Sequence, residues 1–309
     1  MSRREHLPQL DGGLFLTDGG IETTLIFHDG LELPEFAAFP LLESDEGVAA
    51  LRRYYEPYLE LARDRHAGFV LEAPTWRANR DWGARLGYSP DALAAVNRKA
   101  IALMEELRHE HEGEEPFVIS GCVGPLGDGY DPDEFLSANE VEERHAVQIT
   151  TLAGTAADLV TALTMTSVEE AIGIVRAAAA AGLPAAISFT VETDGRLPSG
   201  QALADAIEEV DTETDGAAAY FMVNCAHPTH FQHVLGDRLE RLRGVRANAS
   251  TKSHAELDES DELDAGDPDE LAARYAELTA LRPQLNVLGG CCGTDHRHIA
   301  AIADRIRFT

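Results

Sequence analysis

Apolar residues along the chain fall into short runs, each followed by a glycine or polar turn and then by an amphipathic stretch. Leu14–Leu16, Gly68–Leu71, Phe117–Ser120, Asp158–Leu163, Ala185–Phe189, Ala218–Val223, Gly244–Ala249 and Leu285–Leu288 read as eight strands. They are continuous apolar runs rather than alternating ones, the pattern of strands covered on both faces. Helix-start signals sit between them. Ser44 precedes a helix reaching about His66, and Ser89-Pro90 opens one from Asp91 to about His109. Ser137–Glu140 and Ser167–Glu170 have capping-box spacing; the first opens a helix carrying His145 and Gln148, the second an alanine-rich helix to about Ala181. His227-Pro228 and Asp267-Pro268 start two more helices, and Thr294 is the expected cap of a last helix ending near Arg307.

Alternating strands and helices imply parallel strands with helical crossovers, and eight repeats predict an α/β fold, a single (β/α)8 TIM-type barrel over residues 1–309. An open doubly wound sheet is the competing topology. The barrel is favoured because the glycine and polar motifs all follow strand C-termini, where this fold builds its sites.

Composition narrows the class of partner. A net charge of −29 argues against nucleic acid, whose phosphates demand a basic face. No run approaches the roughly 20 apolar residues of a membrane span, and Met1–His6 lacks a signal core, so a cytoplasmic protein is expected. Lysine occurs only at positions 99 and 252, and this acidic, lysine-poor surface suits solubility in high salt. The run from Glu256 to Asp269 reads as a solvated loop. Oligomeric state is left open.

The candidate chemistry lies in the cysteines. Gly289-Gly290-Cys291-Cys292-Gly293-Thr294 puts two adjacent cysteines among glycines after strand eight, and Cys225 follows strand six. Adjacent residues of an extended strand face opposite ways, so the pair converges only where the backbone turns. Cys225, Cys291 and Cys292 then form a cage for a soft tetrahedral ion such as Zn2+, with the fourth position open. A competing, non-enzymatic reading makes Cys291-Cys292 a vicinal disulfide in a redox or zinc-buffering protein. Cys122 reads as a small core residue. His227, His230 and His233 read as helix-start and surface residues, and Trp76 either lines the barrel mouth or faces a cationic ligand. Asn224 and Asn248 either stabilise loops or reach substrate.

With these motifs placed, the chain resembles the zinc-dependent homocysteine S-methyltransferase family, which includes betaine– and S-methylmethionine–homocysteine methyltransferases. The resemblance runs from Asp18-Gly19-Gly20 to the last helix and is carried by Asn224-Cys225, Gly289–Gly293 and Gly124-Pro125. It implies that the three cysteines hold zinc, that a thiol acceptor takes the fourth position, and that Asp18, Gly19, Gly20 and Asn224 are candidates for substrate contact. The chain ends after the eighth helix, so the resemblance points to a small diffusible donor, S-methylmethionine or S-adenosylmethionine. The family glutamate that receives the substrate ammonium aligns with Leu163, and the threonines that usually end strand two are replaced by Glu72-Ala73-Pro74-Thr75-Trp76. Ammonium recognition is therefore expected at Glu72, Glu192 or Glu22, or the acceptor is a different thiol or selenol.

Overall fold

The structure, a computed structural model, describes residues 3–306 apart from 114, 128, 130–135, 259 and 261. Strands β1 (Phe15–Leu16), β2 (Gly68–Glu72), β3 (Phe117–Val123), β4 (Leu159–Met165), β5 (Ala185–Phe189), β6 (Tyr220–Asn224), β7 (Leu242–Ala247) and β8 (Val287–Gly290) form one closed barrel in sequence order. Every pairing is parallel, and β8 returns to β1 with Phe15 opposite Val287. The expected TIM-type barrel is the observed one. Among the described residues no helix is long and apolar enough to cross a membrane.

Two apolar layers hold the barrel. The larger lies between the sheet and the helices, where residues such as Leu71, Ile119, Phe189 and Val245 meet the apolar helix faces. The smaller fills the lower barrel with Phe15, Val70, Val118, Leu159, Ala186, Tyr220, Met222 and Val287. Side chains two positions further along these strands share the inward face, and they are polar: Glu72, Ser120, Thr161, Ser188 and Asn224, joined by Arg246 of β7, all buried. Ser120 and Thr161 hydroxyls meet at 2.7 Å, and Ser188 donates to Asn224 Oδ1 at 2.7 Å. The barrel axis thus passes from oil to hydrogen-bonding groups towards the strand C-termini.

Ser44, Ser89, Ser137 and Ser167 each accept a first-turn backbone N–H, as expected. Three local expectations are corrected. The last helix, His296–Arg305, is capped by Asp295, whose carboxylate accepts from the Arg297 N–H, because Thr294 is spent closing the turn onto the Cys291 carbonyl. Glu170 does not return to its own cap; its carboxylate accepts the Leu126 N–H at 2.8 Å and meets His145 Nε2 at 3.0 Å, tying two helices to the β3 loop. The acidic run falls partly outside the described residues, but Asp264 accepts from Ser250 Oγ at 2.7 Å, so it is anchored rather than wholly solvated. A short helix, Arg80–Arg85, was not signalled by the apolar pattern.

Candidate metal centre and active site

β7 brings the cysteines together. Its last carbonyls accept the amides of residues on both neighbouring strands: Cys225 N–H to Arg246 O at 3.0 Å and Cys291 N–H to Ala247 O at 2.8 Å. Cys225 leaves β6 with φ of 57°, a left-handed conformation that a non-glycine residue adopts only under constraint. Gly293 completes the turn after the pair at φ 77°. Gly20 allows the β1 loop to close over it, since a Cβ there would lie 2.6 Å from the Cys291 carbonyl oxygen.

The result is a cluster in which the sulfurs of Cys225, Cys291 and Cys292 lie within 4.8 Å of one another. Cys225 and Cys291 are joined as a disulfide, with Cα atoms 5.3 Å apart, and Cys292 Sγ lies 3.5 Å from Cys225 Sγ. The vicinal Cys291–Cys292 bridge of the redox reading is not formed, because the bond runs between strand ends instead. The donor set fits a soft tetrahedral ion when reduced: three sulfurs converge, and Asn224 Nδ2 is aimed at Cys291 Sγ from 3.8 Å, the outer support a thiolate ligand calls for.

The cysteines line a cavity of about 320 Å³ at the C-terminal mouth, shared with Asp18, Gly19, Gly20, Glu22, Glu72, Trp76, Leu163, Thr164, Asn224 and Arg246. Arg246 organises its charge. Its Nε donates to Gly290 O at 3.0 Å and its Nη2 to Asp18 Oδ1 at 2.6 Å and Gly19 O at 3.2 Å. Burial opposes its charge, but Asp18 and Glu72 outweigh this and hold its pKa above the ordinary value. Asp18 Oδ2 accepts from Tyr54 at 2.8 Å. Loss of water pushes the Asp18 carboxyl upward against the pull of Arg246 and Tyr54. Glu72 is 5% exposed, its Oε1 stands 4.0 Å from Arg246 Nη1, and Oε2 has no hydrogen-bond partner among the described residues. Burial raises Glu72 from its usual 4.5 to about 7, with Arg246, Ser120 and Thr161 pulling the other way. Glu22, half-buried at the mouth, is likewise raised to about 7 by loss of water, with a smaller contribution from Asp18.

The structure therefore gathers Asp18, Gly19, Gly20, Glu72, Asn224 and the three cysteines, but not Glu192. Glu192 Oε1 lies 3.4 Å from His254 Nδ1, and His254 Nε2 meets the Cys225 carbonyl at 2.9 Å, so it stands behind the cysteine rather than in the cavity. His227 caps the turn Pro228–Phe231 and His230 is buried against Thr251 O, while His233 is exposed; none joins the sulfur cluster. Cys122 lines the cavity but stands apart from the cluster, and burial pushes its thiol up. Asn248 serves its loop, accepting the Ser250 N–H at 3.0 Å. One face of Trp76 is covered by Arg77, 4.5 Å from the ring centre.

Sequence reasoning missed Arg246, Tyr54 and Thr164. The signal for Arg246 was a lone cation inside an apolar run. Thr164 has φ of 66° beside a register shift in β4, and Asn224 holds it there by accepting its N–H at 2.8 Å and donating to its Oγ1 at 2.9 Å.

A closed (β/α)8 barrel with three convergent cysteine sulfurs at the mouth defines the class: a barrel protein with a cysteine cluster that could hold a metal ion. The chain belongs to the homocysteine S-methyltransferase family, whose profile matches residues 15–306. Its fold is that of the Escherichia coli homocysteine methyltransferase MmuM. The oxidized form of that protein superposes with TM-score 0.77 at 20% identity, covering 99% of this chain and 100% of that one. The metallated form gives 0.75 at 20%, covering 97% and 99%. The apo form gives 0.67 at 20%, covering 98% and 99%. No curated protein matches the chain.

Proposed function

We propose that the protein transfers a methyl group from a small onium donor, S-methylmethionine or S-adenosylmethionine, to the sulfur of homocysteine, giving methionine, with Zn2+ held by Cys225, Cys291 and Cys292. The observation that carries this reading is three cysteine sulfurs within 4.8 Å beside an amino-acid-sized cavity at the barrel mouth. The chemistry such an ion supplies is removal of the thiol proton and a fixed place for the resulting sulfur. The cysteines must be reduced to serve as ligands, which suits the cytoplasm.

The chain's own residues do the rest. Asn224 orients Cys291, and the pairing of Glu192 with His254 supports the Cys225 carbonyl. Asp18, Gly19 and Gly20 close the β1 loop over the cavity beside Arg246. Ile21, Phe36, Leu163 and Trp76 supply apolar wall. In the reaction the acceptor sulfur forms a bond to the donor methyl as the methyl–onium bond breaks, and that bond's electron pair stays on the donor, which leaves neutral. Opposite charges cancel, and a wall that excludes water favours the loss of charge. A cavity of about 320 Å³ lies at the small end of ligand sites, which favours S-methylmethionine over the bulkier S-adenosylmethionine.

A second reading keeps this chemistry but changes the acceptor to another thiol or a selenol; the apolar Leu163 on the cavity wall favours it. The deciding experiment is methionine formation by zinc-loaded protein from homocysteine with each donor, with Cys225→Ala as control. Product from the wild type alone supports the proposal. No product from either donor, with zinc still bound, removes homocysteine as the acceptor.

A further inference from the structure

We infer that Glu72 and Arg246 together read the zwitterionic end of an α-amino-acid acceptor, Glu72 taking the ammonium and Arg246 the carboxylate. This deepens the proposed function and rests on it only in that the acceptor is an amino acid.

Both side chains project into the barrel from strands that are not neighbours, β2 and β7, and both line the cavity that holds the cysteines. Glu72 is 5% and Arg246 4% exposed. Despite opposite charge they do not complete each other: their closest approach is 4.0 Å, too long for a hydrogen bond. Arg246 Nη1 and Glu72 Oε2 each lack a partner among the described residues. A buried polar group left this way costs about 1–3 kcal/mol, more when charged. Two of them, of opposite sign and side by side in one cavity, are the complement of a ligand carrying both charges.

The rest of the arrangement aims them. Arg246 is fixed by Gly290 O, Asp18 and Gly19 O, so only its Nη1 edge remains to receive a carboxylate. Asp18 is itself held by Arg246 and Tyr54, which makes it a positioning residue rather than an ammonium receptor. Among the described residues Leu163 leaves no carboxylate on the β4 side of the cavity. Glu22 is only half-buried, whereas Glu72 is buried and presents an oxygen without a hydrogen-bond partner among the described residues.

The test uses zinc-loaded protein and calorimetric binding of L-methionine, 4-(methylthio)butanoate, which lacks the ammonium, and 3-(methylthio)propylamine, which lacks the carboxylate. None of the three has a thiol, so binding does not require methyl transfer. The wild type should hold methionine about 10- to 100-fold tighter than either truncated compound. Glu72→Gln should lose about that factor for methionine and the amine while binding the butanoate as the wild type does. Arg246→Lys should show the reverse pattern. If Arg246→Lys fails to fold, because Arg246 also anchors Asp18 and Gly290, the Glu72→Gln series decides alone. Methionine binding unchanged in Glu72→Gln, or truncated compounds bound as well as methionine, overturns the inference. The two proposals part cleanly. Methylation of homocysteine with Glu72→Gln indifferent removes only the reader, and the binding pattern without methylation removes only the reaction.

Discussion

Glu72→Gln should make the ligand-free protein more stable at pH 8, even as it weakens the acceptor site. Burial raises the Glu72 carboxyl from 4.5 to about 7 in the folded chain. A displacement of that size, at 1.36 kcal/mol per decade, makes ionisation in the fold costly by about 3 kcal/mol relative to the unfolded chain. The sign follows from which state holds the proton. Below pH 4.5 Glu72 is protonated in both states and costs nothing. Between 4.5 and about 7 the unfolded chain releases its proton first, so folding loses stability as pH rises, and above 7 the full cost is present. The neutral glutamine removes it. Thermal unfolding of wild type and variant at fixed scan rate should therefore coincide near pH 4.5 and separate to a plateau above pH 7. The variant should melt on the order of 5 °C higher, given the entropy of unfolding of a chain this long. A variant that melts lower than the wild type at pH 8 would refute the reasoning. Glu72 would then be a stabilising partner of Arg246, not a binding group kept at a cost to the fold.

The same carboxyl sets a pH dependence, since only ionised Glu72 attracts an ammonium: methionine affinity should fall about tenfold per unit below pH 7 and level off above it. Arg246, Asp18, Cys122 and Tyr55 face the group, and Glu72→Gln should flatten the profile. Cys225→Ala, Cys291→Ala and Cys292→Ala should each reduce bound zinc, from about one per chain to near none after dialysis, read by elemental analysis; full retention in any one removes that residue from the ligand set. Asn224→Ala frees Thr164 from its left-handed backbone and strips three buried hydrogen bonds, two with Thr164 and one from Ser188, a loss of roughly 2–4 kcal/mol in denaturant unfolding. An unchanged midpoint would mean that Thr164 holds itself. Screening the net charge of −29 should raise the melting temperature between low and molar salt, and a flat response would remove self-repulsion as a factor.

The chain by itself determined the barrel and singled out the three cysteines that the fold brings together. Eight apolar runs with helix-start signals between them allow few arrangements once parallel strands and crossovers are required. Cysteines among glycines at strand ends mark a candidate cluster before any coordinate is known. What only the tertiary structure decided lies across the barrel axis. In strands covered on both faces, the lower inward positions are as apolar as the outward ones, so the period of two is masked and the inward direction of Arg246 is not legible from its run. Its meeting with Asp18, 228 positions away, is a consequence of closure. Glu72 and Glu192 read alike, each a carboxylate near a strand end. Glu72 is the last residue of β2, inside the barrel with a bare oxygen, whereas Glu192 lies three residues past β5, where the chain has turned outward to His254. The pairing of Cys225 with Cys291, rather than of the two adjacent cysteines, likewise came from β7, whose carbonyls draw in both neighbouring strand ends. Local sequence records what a residue is and which element it joins; which atoms are left unpaired in a shared cavity depends on distances that exist only after the sheet closes.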